Sequence, residues 1–332
     1  MKQHHETTRH SSSATSFSPE NLRGVLLPFP TPFDRDEKVD ATALRTNIKR
    51  WNQTGVKGYV ALGSTGERVH LEEHECLEVI EAAREAVPKS MAFIVGAGQQ
   101  STRATVAEVG RFADAGADAV LVITPHFYRG AMTQDVLMGH YLAVADASPV
   151  PVILYSMPDL TGIALAPERV AQLSEHENII GIKDSSGDLI GLTETLRLVP
   201  DDFVVLTGNG ALLYAALGAG ARGAILAVGC VATRLCVDIY RAVEAGDHAR
   251  AREMQRRLTP TARAVTVRYG IGGLKAALDL LGFAGGAAVR APLQGAREEA
   301  RGEIARLLEG AGLLGAEEAT GDEQHLAGAS RE

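Results

Sequence analysis

Between residues 24 and 227 short β-type apolar runs alternate with longer segments of helical period, and this alternation restricts the chain more than any other feature. The runs lie at 24–28, 58–62, 92–96, 119–124, 152–155, 179–183, 203–207 and 223–227, and each is followed by a segment that reads as a helix. A doubly wound sheet would show roughly five or six strands and a glycine-rich dinucleotide turn. Eight βα units fit instead an α/β fold of the (β/α)8 TIM barrel class, usually about 250 residues long. Asp40, Ser101 and Thr133 stand where their side-chain oxygens would cap helices running to 52, 115 and 147.

After the eighth run, helical segments around 232–245, 249–267, 274–281 and 296–308 continue without new strands, which predicts a C-terminal helical extension beside the barrel. The expected organisation is an N-terminal tail over 1–20, the barrel over 21–229, the helical extension over 230–312 and a flexible tail over 313–332. Residues 1–18, rich in Ser, Thr and His, suit a disordered tail better than an organelle transit peptide.

Hydrophobic residues at 45% and charged residues at 22% exclude wholesale disorder. With 41 acidic against 33 basic side chains the chain lacks the basic excess that nucleic-acid binding requires. Cys76, Cys230 and Cys236 are too few and too scattered for a disulfide framework or a metal knuckle, which points to a reducing compartment. No apolar run approaches the roughly 18 residues of a membrane span, and the first twenty residues hold no signal-peptide core. The expectation is a cytoplasmic protein without membrane or nucleic-acid partners.

Barrel enzymes carry their chemistry at the C-terminal strand ends. The second run ends in Gly63-Ser64-Thr65-Gly66-Glu67, the fourth in Thr124-Pro125-His126-Phe127-Tyr128, the fifth in Tyr155-Ser156, the sixth in Lys183-Asp184-Ser185-Ser186-Gly187 and the seventh in Thr207-Gly208-Asn209-Gly210. Lys183 would bring an amine into an apolar mouth, where desolvation favours the neutral form that condenses with a ketone. The alternative is a lysine paired with Asp184 or another carboxylate. Tyr155, one strand earlier, is a candidate proton shuttle, or a tyrosine packed with its hydroxyl on backbone. Ser64 and Thr65 offer hydroxyls and free N–H groups suited to a carboxylate, or simply a tight turn. His70 and His74 lack the His-Glu-x-x-His order and read as a solvated helical turn. A phosphate site near Gly208 and Gly210 lacks the supporting glycine motifs.

These residues resemble the dihydrodipicolinate synthase / N-acetylneuraminate lyase family, the class I pyruvate aldolases, over nearly everything from 22 to 294. The carriers are Gly63-Ser64-Thr65-Gly66-Glu67, Tyr155-Ser156-Met157-Pro158 with Thr161-Gly162, and Gly181-Ile182-Lys183-Asp184-Ser185-Ser186-Gly187-Asp188. The resemblance implies Lys183 as the Schiff-base lysine, Tyr155 as acid/base, Ser64 as proton relay and Thr65 as holder of the substrate carboxylate. It places Gly208 and Ile225 along the pyruvyl end and Ser185 at the distal end. It implies no metal, nucleotide or other cofactor, because the imine on Lys183 is itself the electron sink, and a homotetramer as assembly.

Within the family the chain looks most like 4-hydroxy-2-oxoglutarate aldolases, through Thr124-Pro125, Tyr128-Arg129-Gly130, Leu154-Tyr155-Ser156-Met157-Pro158, Gly273-Leu274-Lys275 and Arg290-Ala291-Pro292-Leu293-Gln294. Dihydrodipicolinate synthases carry an arginine where this chain has Leu160, which argues against that condensation and leaves the distal group to Ser185, Thr65 or an arginine such as Arg129. Phe127 stands where the family usually has a tyrosine reaching into a neighbouring subunit; Tyr128 or a water would have to replace its hydroxyl. The expected activity is cleavage of 4-hydroxy-2-oxoglutarate to pyruvate and glyoxylate. The alternatives are a hydro-lyase or aldolase for a 2-oxo-3-deoxy sugar acid, a dihydrodipicolinate synthase-like condensation, and a barrel-derived binding protein without turnover.

Overall fold

All eight apolar runs are parallel strands of one closed barrel in the computed structural model, which describes residues 17–314. They are β1 Gly24–Leu27, β2 Gly58–Ala61, β3 Ala92–Ala97, β4 Ala119–Ile123, β5 Val152–Ser156, β6 Ile179–Asp184, β7 Val204–Thr207 and β8 Gly223–Ile225. They pair in sequence order, and β8 closes onto β1 through Gly24↔Gly223 and Leu26↔Ile225.

Strand alternation divides the apolar residues into two layers. Leu26, Val60, Ile94, Leu121, Ile153, Tyr155, Leu206 and Ile225 fill the barrel interior. Val25, Leu27, Tyr59, Phe93, Val120, Leu154 and Val205 meet the surrounding helices. Both faces of every strand are covered, so the sequence shows near-continuous apolar runs rather than alternation.

The capping residues act as expected. Asp40 accepts from Ala43 N at 2.9 Å, Ser101 from Ala104 N at 3.2 Å and Thr133 from Val136 N at 3.4 Å, opening helices Ala41–Trp51, Thr102–Asp114 and Gln134–Ala147. The helical extension comprises Thr233–Glu244, His248–Arg263, Gly270–Leu280 and Glu298–Gly310, with a single π-helical turn at Ala264–Arg268.

One helix begins earlier than its sequence suggests. The expected segment starts at 274, yet Gly270, Gly272 and Gly273 form the first turn of Gly270–Leu280. The reason is crowding: a Cβ on Gly272 would lie 2.5 Å from the Gln294 carbonyl oxygen, and one on Gly273 would lie 2.3 Å from Tyr269 Cβ. Of the two expected tails, residues 1–16 and 315–332 lie outside the described residues, while Pro19–Leu22 forms a 3₁₀ turn with Leu22 buried.

Candidate active site

The C-terminal ends of β2, β5, β6 and β7 bring the sequence-predicted residues to one mouth. Tyr155 and Lys183 are register partners on β5 and β6, so both side chains point to the same side of the sheet. Lys183 is 4% exposed and its Nζ sits 4.3 Å from the centroid of the Tyr155 ring. No carboxylate pairs with it among the described residues. Its neighbour Asp184 points to the opposite face and accepts from Ser186 N at 2.7 Å, and burial holds its carboxyl above the usual range. The amine is therefore buried against an aromatic face, with no acid beside it.

The Tyr155 hydroxyl lies 3.2 Å from Ser64 Oγ. Ser64 opens a tight turn in which Gly66 N bonds to Gly63 O and Glu67 N to Ser64 O, at 3.0 and 3.2 Å. Two non-glycine residues in the left-handed region bracket it, Leu62 at φ 53° and Glu67 at φ 55°. Such conformations cost about 1–2 kcal/mol each, so surrounding contacts must hold the loop in place. Gly96 is one of them: a Cβ there would lie 2.3 Å from Leu62 O. Thr65, next to Ser64, is buried.

Gly208 closes the other side. A Cβ at this position would lie 1.8 Å from Ser185 Oγ and 2.9 Å from Lys183 Cε, so only glycine leaves room for both side chains. Gly208 N bonds to Asp184 O at 2.6 Å and Ser185 N to Ser156 O at 2.9 Å, which ties the three strand ends together. Ile225 is fully buried in the inner layer beside Leu26.

Tyr128 does not join this cluster within one chain. It is 71% exposed, its ring edge-on to Phe127, which is 75% exposed. Gln100 Oε1 accepts from His126 N and Phe127 N at 2.9 and 2.8 Å and so holds this aromatic pair out from the barrel. Arg129 folds back over the loop after β5: a Cβ on Gly162 would lie 3.1 Å from its Cδ and Nε. His70 Nδ1 lies 3.5 Å from Glu67 and His74 is exposed beside Glu72.

The model of the dihydrodipicolinate synthetase family matches residues 21–311. The chain belongs to that family. It is a class I, pyruvate-dependent carbon–carbon lyase, of a family that forms a covalent lysine–pyruvate imine and uses no metal or other cofactor. A 4-hydroxy-tetrahydrodipicolinate synthase of Methanopyrus kandleri is 38% identical over 296 residues, 88% of this chain and 97% of the relative. One from Syntrophus aciditrophicus is 36% identical, over 89% of this chain and all of the relative. Among solved structures, the dihydrodipicolinate synthase of Thermotoga maritima superposes with a TM-score of 0.85 at 31% identity, covering 88% of this chain and 99% of that one. YagE of E. coli, solved in complex with pyruvate, gives 0.82 at 29%, again covering 88% and 99%. No helix of the described residues is long and apolar enough to cross a membrane.

Residue motifs alone did not reveal the group that braces the Ser64 turn. Glu67 is buried with its carboxylate 2.5 Å from Lys275 Nζ, and its Oε2 accepts from Arg290 N at 3.0 Å. The only sequence signal was that all three sit in stretches that carry the family resemblance.

Proposed function

We propose that Lys183 forms the imine and that the chain cleaves a 4-hydroxy-2-oxo acid, 4-hydroxy-2-oxoglutarate in the best reading, to pyruvate and glyoxylate. The observation that carries the proposal is a buried amine without a carboxylate partner, lying over the ring of a tyrosine whose hydroxyl is 3.2 Å from Ser64 Oγ. Lys183 Nζ attacks C2 of the substrate, and the carbinolamine loses water to give a protonated imine. Tyr155 takes the proton from the C4 hydroxyl; the C3–C4 electrons move into the imine as the aldehyde leaves. The resulting enamine takes a proton at C3, and water releases pyruvate and restores Lys183. Ser64 relays the proton to and from Tyr155.

In this reading Thr65 holds the substrate carboxylate, Gly208 and Ile225 line the pyruvyl end and Ser185 faces the distal end. Arg129, an exposed cation without a carboxylate partner among the described residues, meets the second carboxylate from above Gly162. The enzyme works as a homotetramer in which Tyr128 of a neighbouring subunit contributes to the relay in place of the absent hydroxyl at Phe127. The three cysteines are buried free thiols, which suits a cytoplasmic setting.

The names of the relatives favour a second reading, condensation of pyruvate with a carboxylate-bearing aldehyde, against which stands Leu160. A panel of 4-hydroxy-2-oxo acids and deoxy-sugar acids, assayed for pyruvate and for aldehyde, separates these activities. Pyruvate and glyoxylate in equal amounts from 4-hydroxy-2-oxoglutarate are expected. Elimination without an aldehyde, or condensation without cleavage of this substrate, overturns the first reading.

A further inference from the structure

The C-terminal extension reaches back to the turn that carries Ser64. Glu67, the last residue of the Gly63-Ser64-Thr65-Gly66-Glu67 motif, has a fully buried side chain, as has Lys275 to within 3%. Lys275 Nζ also donates to Ala288 O at 2.7 Å and lies 4.2 Å from the centroid of the Phe33 ring. Arg290 gives its N–H to Glu67, its guanidinium to Glu75 at 2.6 and 2.7 Å and to His70 O at 2.9 Å, and stacks over the same Phe33 ring. Thr31 Oγ1 donates to Gly66 O at 2.7 Å from the loop after β1. Lys275 Nζ and Arg290 N thus meet on one left-handed residue, Glu67, whose N–H in turn bonds to the carbonyl of Ser64.

A buried ion pair is weak evidence for stability, since desolvation offsets most of its attraction; what this one can contribute is the placement of the turn it grips. Here the gripped residue is three positions from the one whose hydroxyl meets Tyr155. We propose that Glu67, Lys275 and Arg290 are positioning residues, through which the helical extension holds Ser64 at hydrogen-bond distance from Tyr155. The inference rests on the lyase reading above and goes beyond it, because it gives the extension a part in proton transfer.

The test uses the full chain and removes both buried charges together, Glu67→Gln with Lys275→Met, so that neither is left unpaired. Thermal unfolding, borohydride trapping of pyruvate, and kcat and KM for cleavage across pH are measured on this variant and on Arg290→Lys. Misplacement of a catalytic hydroxyl by about an ångström costs up to about 10²-fold. The expected result is a folded double variant that still traps pyruvate on Lys183, with kcat lowered about tenfold to a hundredfold, KM little changed and a displaced pH profile; Arg290→Lys shows a smaller loss of the same kind. Wild-type kcat and pH profile in a folded double variant overturn the proposal, as does a loss of kcat and trapping in equal proportion. If the double variant does not fold, Glu67→Asp decides, because it keeps the charge but draws the carboxylate back from Lys275 Nζ and Arg290 N: lowered kcat with the adduct still formed on Lys183 supports the proposal and unchanged kcat overturns it. Failure of the wild type to trap pyruvate defeats the lyase reading itself, and the positioning role falls with it.

Discussion

Tyr155 and Lys183 are paired across β5 and β6, with the lysine amine 4.3 Å from the centroid of the phenol ring. The ring shapes the environment of the amine, whereas the hydroxyl meets Ser64. Tyr155→Phe separates the two. It keeps the packing and the fold, and we expect kcat to fall by roughly 10²–10⁴-fold, with slower imine trapping. Turnover equal to wild type would reject the tyrosine as proton shuttle.

Gly208→Ala places a methyl group in space already taken by Ser185 Oγ and Lys183 Cε. Overpacking of this kind costs about 1–3 kcal/mol. Both the unfolding midpoint and the rate of pyruvate trapping should fall, the latter because Lys183 itself must move. A variant with wild-type trapping would contradict the close packing of the three residues.

Arg129→Ala leaves the barrel interior untouched. KM for a substrate with a distal carboxylate should rise about tenfold or more, while KM for an analogue with a neutral distal group stays as it is. An equal change for both substrates would remove Arg129 from the recognition of the second carboxylate.

His140 is buried between two barrel helices, with Nδ1 2.9 Å from Thr102 Oγ1, and burial lowers its pKa from 6.5 to about 4. The unfolded chain then binds more protons than the folded one between those two values. The neutral histidine's contribution is complete above pH about 6.5, is lost as the pH falls towards about 4, and changes no further below that, with a total on the order of 3 kcal/mol. Denaturant unfolding of wild type and His140→Gln across this window checks it: the variant should show a shallower acid decline. Parallel curves would exclude the histidine as its source.

Much of the barrel was legible because strands covered on both faces appear as uninterrupted apolar runs, and their polar ends fall at the mouth. Lys183, Tyr155 and Ser64 stood out as candidates at those ends, and only the family resemblance gave them roles. The first turn of Gly270–Leu280 could not be read in advance, since its glycines answer to the close approach of Gln294 and Tyr269, which local propensity does not contain. Nor could the brace on Glu67, whose partner Arg290 lies 223 residues away, because such pairing depends on how the extension packs.

Borohydride reduction in the presence of pyruvate, followed by peptide mass analysis, tests the central claim most directly. The reduced pyruvyl adduct should appear on Lys183 in the wild type and be absent from Lys183→Ala. An unmodified Lys183, or an adduct on another lysine, would contradict the imine mechanism.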